Sequence, residues 1–510
     1  MHPNNINTVT QNINDIPAIK EIINNNYNEG EKYILLYKEL NKIFKDEKKL
    51  ALFYQVGDFY EIYALIYPNG DRVGNLWDIA SELNLSISTK KNKVFKDDSI
   101  ILKMIGIPIW SLDKYLSLAV NDYGWTIVLF AQVDTEYGKK KRIFDQIISP
   151  GLITNSSSES NNMMVIYLES IKSIRNKGID ILYSGISFID TLTGDIGTIQ
   201  YPFKENINES VIYDEIIKLI TIKNPKDILI YSKNLNLKEK EIVEKLRLHY
   251  YNYKIYMNDI PKDFSNIEYQ TNLFENVFKY HIDNINNSTN RTTHESTGES
   301  KDESTNVNMK LHILDYLNIK DYYFCVISLT ILLEYIIKRN NSLIYRLNKP
   351  TLFFNVADNL ILQNNSLEQL NIVNNQTRNF TFEKTLSLIT LLDKTKSQMG
   401  KRTFRNRLMN PITNTDILNK SYKQITAFTN LQIEDKNKIK DILLTSVDIA
   451  KIKYKLTNNT MHYNQISSLN ESINLFVDMN TILIKTVGTH LLVKSKQFCD
   501  SIHTLASYIK

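Results

Sequence analysis

Leu52-Phe53-Tyr54-Gln55-Val56-Gly57-Asp58-Phe59-Tyr60-Glu61-Ile62-Tyr63 is the stretch on which the reading of this chain turns. Two aromatic and apolar runs are joined by Gly-Asp, a pair that favours a tight turn. On an extended backbone residues i and i+2 share a face, so Phe59 and Glu61 present a ring and a carboxylate together while Tyr60 points away. Composition alone reads such a segment as an aromatic strand that packs its rings into a core. The surroundings offer a second reading. Downstream, Ser86-Ile-Ser-Thr-Lys-Lys-Asn-Lys93 places Lys90, Lys91 and Lys93 within four residues, a basic strip of the kind that meets nucleic-acid phosphate.

Around this stretch lies a chain of 510 residues, 43% hydrophobic and 23% charged. That length exceeds a single core and predicts about three to four domains of ordinary globular composition. Sixty-one basic against 56 acidic residues leave a net charge of +5, so charge argues for an anionic partner only through local clusters. Cys325 and Cys499 stand far apart without nearby histidine pairs, so neither a disulfide framework nor a zinc site is readable, which fits a reducing, intracellular compartment, cytoplasmic or nuclear. The polar N-terminus lacks the order of a signal peptide. Tyr322 to Ile337 is the most apolar run; Glu334 interrupts it and it is too short to span a bilayer, so it is predicted to be a buried helix.

Periodicity divides the chain. Residues 1–30 are expected to be a flexible terminus. In 31–150, a helical pattern over Tyr33 to Phe44 leads into strand-like Leu50 to Val56, Met104 to Pro108 and Thr126 to Phe130, an α/β layer. In 151–282, Ser184 to Asp190 and Asp195 to Tyr201 flank a turn and predict a hairpin, followed by a helix over Val211 to Ile222 and a strand over Asp227 to Tyr231. Residues 283–308 are polar and Ser/Thr/Asn-rich, the composition of a disordered insertion. From 309 to 510 the patterns become helical, as in Phe382 to Leu408, with Pro411 closing one segment.

With these residues in place, Gly57-Asp58-Phe59-Tyr60-Glu61 resembles the mismatch-recognition motif of the MutS family of DNA mismatch repair proteins. Further similarity runs in the same order through Met104-Ile-Gly-Ile-Pro108 with Tyr115-Leu116, Gln132-Val133, Ser149-Pro-Gly-Leu-Ile-Thr154, Phe188-Ile-Asp190, Thr193-Gly194, Leu386 to Asp393, Met399-Gly-Lys-Arg402 and Leu408 to Pro411. The resemblance implies a multidomain fold: an α/β mismatch-binding domain at 31–150, an α/β ribonuclease-H-like connector at 151–282, and an α-helical lever with the start of a clamp at 309–510. It implies double-stranded DNA with mismatches as partner, Phe59 as a wedge beside a mispaired base and Glu61 as the carboxylate that contacts the displaced base. An inserted ring must unstack a base step at a cost of about a few kcal/mol, and a mismatched step opens more cheaply, so deformability itself discriminates. A carboxylate beside polyanionic DNA needs a specific base contact to offset repulsion. Lys90, Lys91 and Lys93, and separately Lys139-Lys-Lys-Arg142, are candidate phosphate contacts or simply a solvated charged surface.

No Gly-x-x-x-x-Gly-Lys-Ser/Thr loop occurs in the sequence, so no loop of that pattern can cradle ATP phosphates; on the leading reading no cofactor and no catalytic or metal residue is expected in this chain. The family's ATPase, with its ATP and Mg²⁺, is expected only from a separate or missing domain. The chain is therefore expected to be an N-terminal fragment, half of a split gene or a degenerate form, acting as a homodimer or with a partner ATPase chain, with no membrane contact. Two other classes remain open: a non-catalytic scaffold or recombination-type relative, and a Mg²⁺-dependent nuclease using Asp190 and Asp195.

Overall fold

The computed structural model describes residues 13–90, 100–134, 140–152, 160–172, 180–202, 209–292, 312–344, 347–352, 360, 366–372, 387–457, 461–487 and 504. Lys91, Lys93 and Lys139 lie outside them. The first body opens with helices α1 (Pro17–Asn24) and α2 (Glu29–Ile43), then strands β1 (Leu50–Val56), β2 (Phe59–Ile66) and β3 (Arg72–Val73). It continues with α3 (Leu76–Glu82), β4 (Ser88–Thr89), β5 (Ile101–Pro108), α4 (Leu112–Ser117), β6 (Thr126–Asp134) and β7 (Lys140–Ile148). The strands form one mixed sheet in the order β4-β5-β2-β1-β6-β7, with β3 on β2. β1 and β6 run parallel and the other pairs antiparallel. Leu50 to Tyr54 and Thr126 to Phe130 are buried on both faces, as expected of central strands covered by helices.

Within the terminus expected to be flexible, the described residues include a helix, α1. Pro17 opens α1, where its missing N–H costs nothing, and Ile19, Ile22 and Ile23 bury one stripe of the helix. Just before it, the Asn14 side chain bonds the backbone of Phe144 on β7 in both directions, at 3.3 and 2.9 Å. A capping box follows at α2: Asn28 Oδ1 accepts from the Glu31 N–H at 2.9 Å, and the Glu31 carboxylate accepts from the Asn28 N–H.

The second body comprises β8 (Asn162–Lys172), β9 (Asp180–Asp190), β10 (Asp195–Tyr201), α5 (Glu209–Lys223), β11 (Asp227–Lys233), α6 (Glu239–Lys245), β12 (Tyr253–Met257), α7 (Ile267–Thr292), α8 (Ile313–Tyr316), α9 (Tyr323–Arg339) and β13 (Thr351–Leu352). Its sheet has the order β12-β11-β8-β9-β10-β13. One core, with α5 and α6, covers one face; the other, with α7 and α9, covers the opposite face. Two expectations change here. Helix α7 continues to Thr292, ten residues into the stretch from Asp283 expected to be disordered. The helical region expected from residue 309 in fact begins as part of this sheet: α9 lies against β8 and β9, and β13 adds parallel to β10. Helix α9 is apolar nearly all round because it is enclosed, and periodicity alone does not say by what. At Gly185 the backbone of Phe324 comes so close that a Cβ would lie 1.9 Å from its carbonyl oxygen.

The remaining described elements are helices α10 (Ser366–Gln369), α11 (Leu388–Leu392), α12 (Gln398–Met409), α13 (Thr415–Thr429), α14 (Ile433–Thr445), α15 (Ile449–Thr457) and α16 (Tyr463–Val487). The pattern over Phe382 to Leu408 is not one helix. Its first residues, to 386, lie outside the described residues, and Asp393 to Ser397 break the remainder: Asp393 Oδ1 accepts from the Thr395 N–H at 2.9 Å and Ser397 Oγ caps α12 at the Gly400 N–H. Arg402 of α12 makes a two-pronged bond to Asp448, at 2.6 and 2.8 Å, just before α15.

A buried ionic node joins the two α/β bodies. The Glu47 carboxylate, between α2 and β1, takes Lys254 Nζ at 2.6 Å and Arg339 Nη2 at 2.8 Å. Its other oxygen accepts from Thr126 Oγ1 at 2.9 Å. Lys254 also reaches the Tyr335 hydroxyl at 3.1 Å, and Asn340 Nδ2 donates to Gln146 Oε1 at 2.9 Å. Burial alone would push the Glu47 carboxyl up; the two cations outweigh it and hold the group below its ordinary value.

Candidate functional site

The hairpin β1–β2 turns on two residues, since Val56 pairs with Phe59 and only Gly57 and Asp58 lie between. Gly57 has φ +61°, a conformation that an L side chain resists and glycine adopts freely. The turn is held from behind. Gln132 Oε1, on β6, accepts from the Gly57 N–H at 3.1 Å, and Gln55 Oε1 accepts from the Gln132 N–H at 2.8 Å. Arg142 of β7 donates through Nε to the Gln55 carbonyl at 3.1 Å and through Nη1 to Glu29 Oε1 at 2.5 Å; Glu29 Oε2 accepts from the Tyr54 hydroxyl at 2.8 Å.

At the start of β2, Phe59 leaves this clamp with 46% of its surface exposed, while Tyr60 and Ile62 on the opposite face are buried. The ring lies over Gly106, whose Cβ position is 3.6 Å from Phe59 Cδ1. Phe59 pairs with Pro108 at the end of β5, and the Ile109 N–H donates to the Asp58 carbonyl at 3.0 Å, so the β5 end closes against the turn. The next residue, Trp110, is 88% exposed. Phe59 and Trp110 are thus both exposed where the paired strands β2 and β5 meet the turn. Trp110 was missed in the sequence; the signal was a tryptophan directly after Gly-Ile-Pro-Ile, where no core position was due.

Glu61 shares the face of Phe59 but lies deeper, with its side chain 12% exposed. Lys90 Nζ stands 3.0 Å from Glu61 Oε2 and 2.5 Å from the Tyr63 hydroxyl, which itself donates to the same Oε2. The Lys90 ammonium also sits over the Tyr63 ring, 4.6 Å from its centre. Tyr33 of α2 packs edge-on against that ring at 4.9 Å. Burial and the bond to Glu61 hold the Tyr63 hydroxyl far above the ordinary tyrosine range, so it serves as a fixed donor. Of the three lysines read as a strip, the described one thus points to Glu61.

The second basic cluster divides. Arg142 is committed to the turn, Lys141 Nζ donates to Asn24 Oδ1 at 2.7 Å, and Lys140 is exposed. The candidate nuclease pair behaves as turn chemistry: Asp190 Oδ1 accepts from the Asn161 and Leu192 N–H groups at 3.1 and 3.0 Å, and Asp195 accepts from Thr193 Oγ1 at 3.0 Å. Burial pushes the Asp190 carboxyl up. Among the described residues no group of three His, Cys, Asp or Glu side chains is placed to hold a metal ion.

Comparison with known proteins bears on this geometry directly. Residues 36–157, which include the turn, Phe59, Glu61 and Trp110, match the family model for MutS domain I, and residues 365–508 match that for MutS domain III. The chain belongs to the MutS family. A DNA mismatch repair protein of Acanthamoeba polyphaga mimivirus, a mutS homologue by name, is 28% identical over 431 residues, 82% of this chain and 36% of the relative. The MutS proteins of Clostridium botulinum and Clostridium kluyveri are 25% and 24% identical over 86% and 88% of this chain, and 39% and 43% of their own length. The chain therefore spans about two fifths of the MutS relatives that it matches. The coarse layout of a mixed α/β N-terminal region followed by helices fits MutS. Among the described residues no helix is long and apolar enough to cross a membrane.

Proposed function

We propose that this chain binds mismatched double-stranded DNA in mismatch repair, with Phe59 entering the duplex beside the mispaired base and Glu61 accepting a hydrogen bond from the displaced base. One observation carries the reading: Phe59 is an exposed ring at the tip of a two-residue turn that is clamped from β6 and β7. A wedge must be rigid where it is anchored and bare where it enters, because the energy of unstacking has to fall on the DNA and not on the protein. The names of the relatives, all DNA mismatch repair proteins, support the same reading. On it, residues 151–282 act as the connector, a meander extended by parallel strands, and the helices from α11 onward belong to the lever and the start of the clamp. ATP and Mg²⁺ chemistry then belongs to a further segment or a partner chain, and the working unit is a dimer inside the cell.

The test is binding of the 510-residue chain to matched duplex and to the same duplex with one mismatch, for wild type and Phe59→Ala. Wild type is expected to prefer the mismatch by roughly tenfold or more and Phe59→Ala to lose the preference, since one misplaced base contact is worth about 1–3 kcal/mol. Equal affinities in all four cases would sink the reading. The scaffold alternative predicts that outcome. The nuclease alternative predicts Mg²⁺-dependent cleavage lost in Asp190→Asn; the structural role of Asp190 in its turn argues against it.

A further inference from the structure

Lys90 lies in the sequence as part of a basic strip, and a basic strip next to a DNA-binding surface is ordinarily assigned to phosphate. Its surroundings say otherwise. Nζ has Glu61 Oε2 at 3.0 Å and the Tyr63 hydroxyl at 2.5 Å, and its side chain is 21% exposed. Its backbone is fixed as well, the Lys90 N–H donating to the Leu102 carbonyl at 3.0 Å beside β4 and β5.

Counting donors and acceptors gives the state of the triad. Lysine has three protons and no acceptor, a tyrosine hydroxyl one proton, and a carboxylate none. Lys90 donates to Tyr63 and to Glu61, and Tyr63 donates to Glu61. Both donors converge on Oε2, while Oε1 accepts no hydrogen bond among the described residues. The ammonium cancels the charge that would repel phosphate, and the hydroxyl fixes the rotamer.

From this geometry we infer that Lys90 is a positioning residue for mismatch recognition: with Tyr63 it holds Glu61 as a charge-compensated acceptor whose Oε1 takes an N–H from the displaced base, and it does not act through a phosphate. The inference rests on the reading that Phe59 and Glu61 meet the mispaired base. It explains how a carboxylate resides on a surface that faces a polyanion, since isolated it would repel the backbone at every base pair. It also assigns a selectivity: base edges presenting an N–H donor are favoured over edges presenting only acceptors.

The experiment is a double-mutant cycle on the full chain, measuring affinity for matched and mismatched duplex as a function of salt for wild type, Lys90→Met, Glu61→Gln and the double variant, with Lys90→Arg as the conservative replacement. If Lys90 acts through Glu61, Lys90→Met lowers the mismatch preference by roughly tenfold in the wild-type background and by less than about twofold in the Glu61→Gln background, and Lys90→Arg retains most of it. Binding to matched duplex, which also reports that the variants fold, changes little. A phosphate contact gives the opposite pattern: Lys90→Met weakens matched and mismatched duplex alike in both backgrounds and reduces the salt slope by about one. That pattern overturns the inference while leaving mismatch recognition intact, whereas a wild type that shows no mismatch preference overturns the reading beneath it.

Discussion

Arg142, on β7, donates through Nε to the backbone carbonyl of Gln55, at 3.1 Å and across 87 residues of sequence, and so fixes the strand that feeds the turn before Phe59. An arginine offers a fork of donors in a fixed plane, and here one fork serves a backbone carbonyl, Gln132 and Glu29 together. Arg142→Lys is therefore expected to behave as a loss. Both Arg142→Lys and Arg142→Ala should lower stability by about 1–3 kcal/mol in a urea melt and weaken mismatch preference while leaving Phe59 in place. A lysine variant indistinguishable from wild type in both assays would show that the fork is dispensable.

Trp110 adds a prediction of its own. With 88% of its surface exposed beside the turn, it contributes little to the fold, and Trp110→Ala should change the melting temperature by no more than about a degree or two. If the edge is the DNA face, the same substitution lowers affinity for matched and mismatched duplex together, because a ring stacked on sugar or base adds contact area without reading the mismatch. Unchanged affinity for both duplexes would place the DNA elsewhere.

The node at Glu47 makes stability depend on acid. A carboxyl held below its ordinary value of 4.5 on folding stabilises the native state above that pH, and the contribution fades as pH falls through the lower native value. Asp227, buried against the same node and pushed up by that burial, changes in the opposite sense, so the informative quantity is the difference between wild type and Glu47→Gln. Glu47→Gln leaves two buried cations short of their anion and is expected to cost about 3–5 kcal/mol at pH 7, with the gap narrowing below pH 4.5. A gap that stays constant down to about pH 3 would refute this account of the node.

Gly185 tests the second body. Any Cβ there meets the Phe324 carbonyl oxygen at 1.9 Å, and backbone cannot yield as a flexible side chain can. Gly185→Ala should cost at least about 3 kcal/mol, or abolish folding of this body, as read by urea denaturation and limited proteolysis. A near-neutral result would mean that α9 can move away from β9.

Strands whose apolar runs are bounded by turn residues were legible: β1, β6 and the hairpin β9–β10 stand where periodicity placed them. The turn at Gly57 was legible too, because glycine and aspartate say where a chain reverses. The first helix was overlooked although Ile19, Ile22 and Ile23 keep helical spacing after Pro17; the asparagines around it read as loop. Helix α9 was seen but assigned to the wrong body, since an apolar helix records that it is enclosed and not which sheet encloses it. The site divided in the same way. Phe59 and Glu61 are two residues apart and visible in the sequence as a pair, whereas Lys90 is 29 residues from Glu61 and reads as charge on a strip until β4 and β5 bring it alongside.

Helix α9 and strand β13 complete a sheet whose other strands end at Met257, and this order has a price in synthesis. While the chain leaves the ribosome, the face of β8 and β9 that α9 will cover stays bare until residue 339 has emerged, well after the sheet's own strands are available to pair. The first body, whose elements are complete by Ile148, has no such wait apart from Glu47, whose cations arrive with Lys254 and Arg339. Nascent chains arrested short of α9 should therefore hold a finished first body beside an apolar surface that chaperones or aggregation would find first.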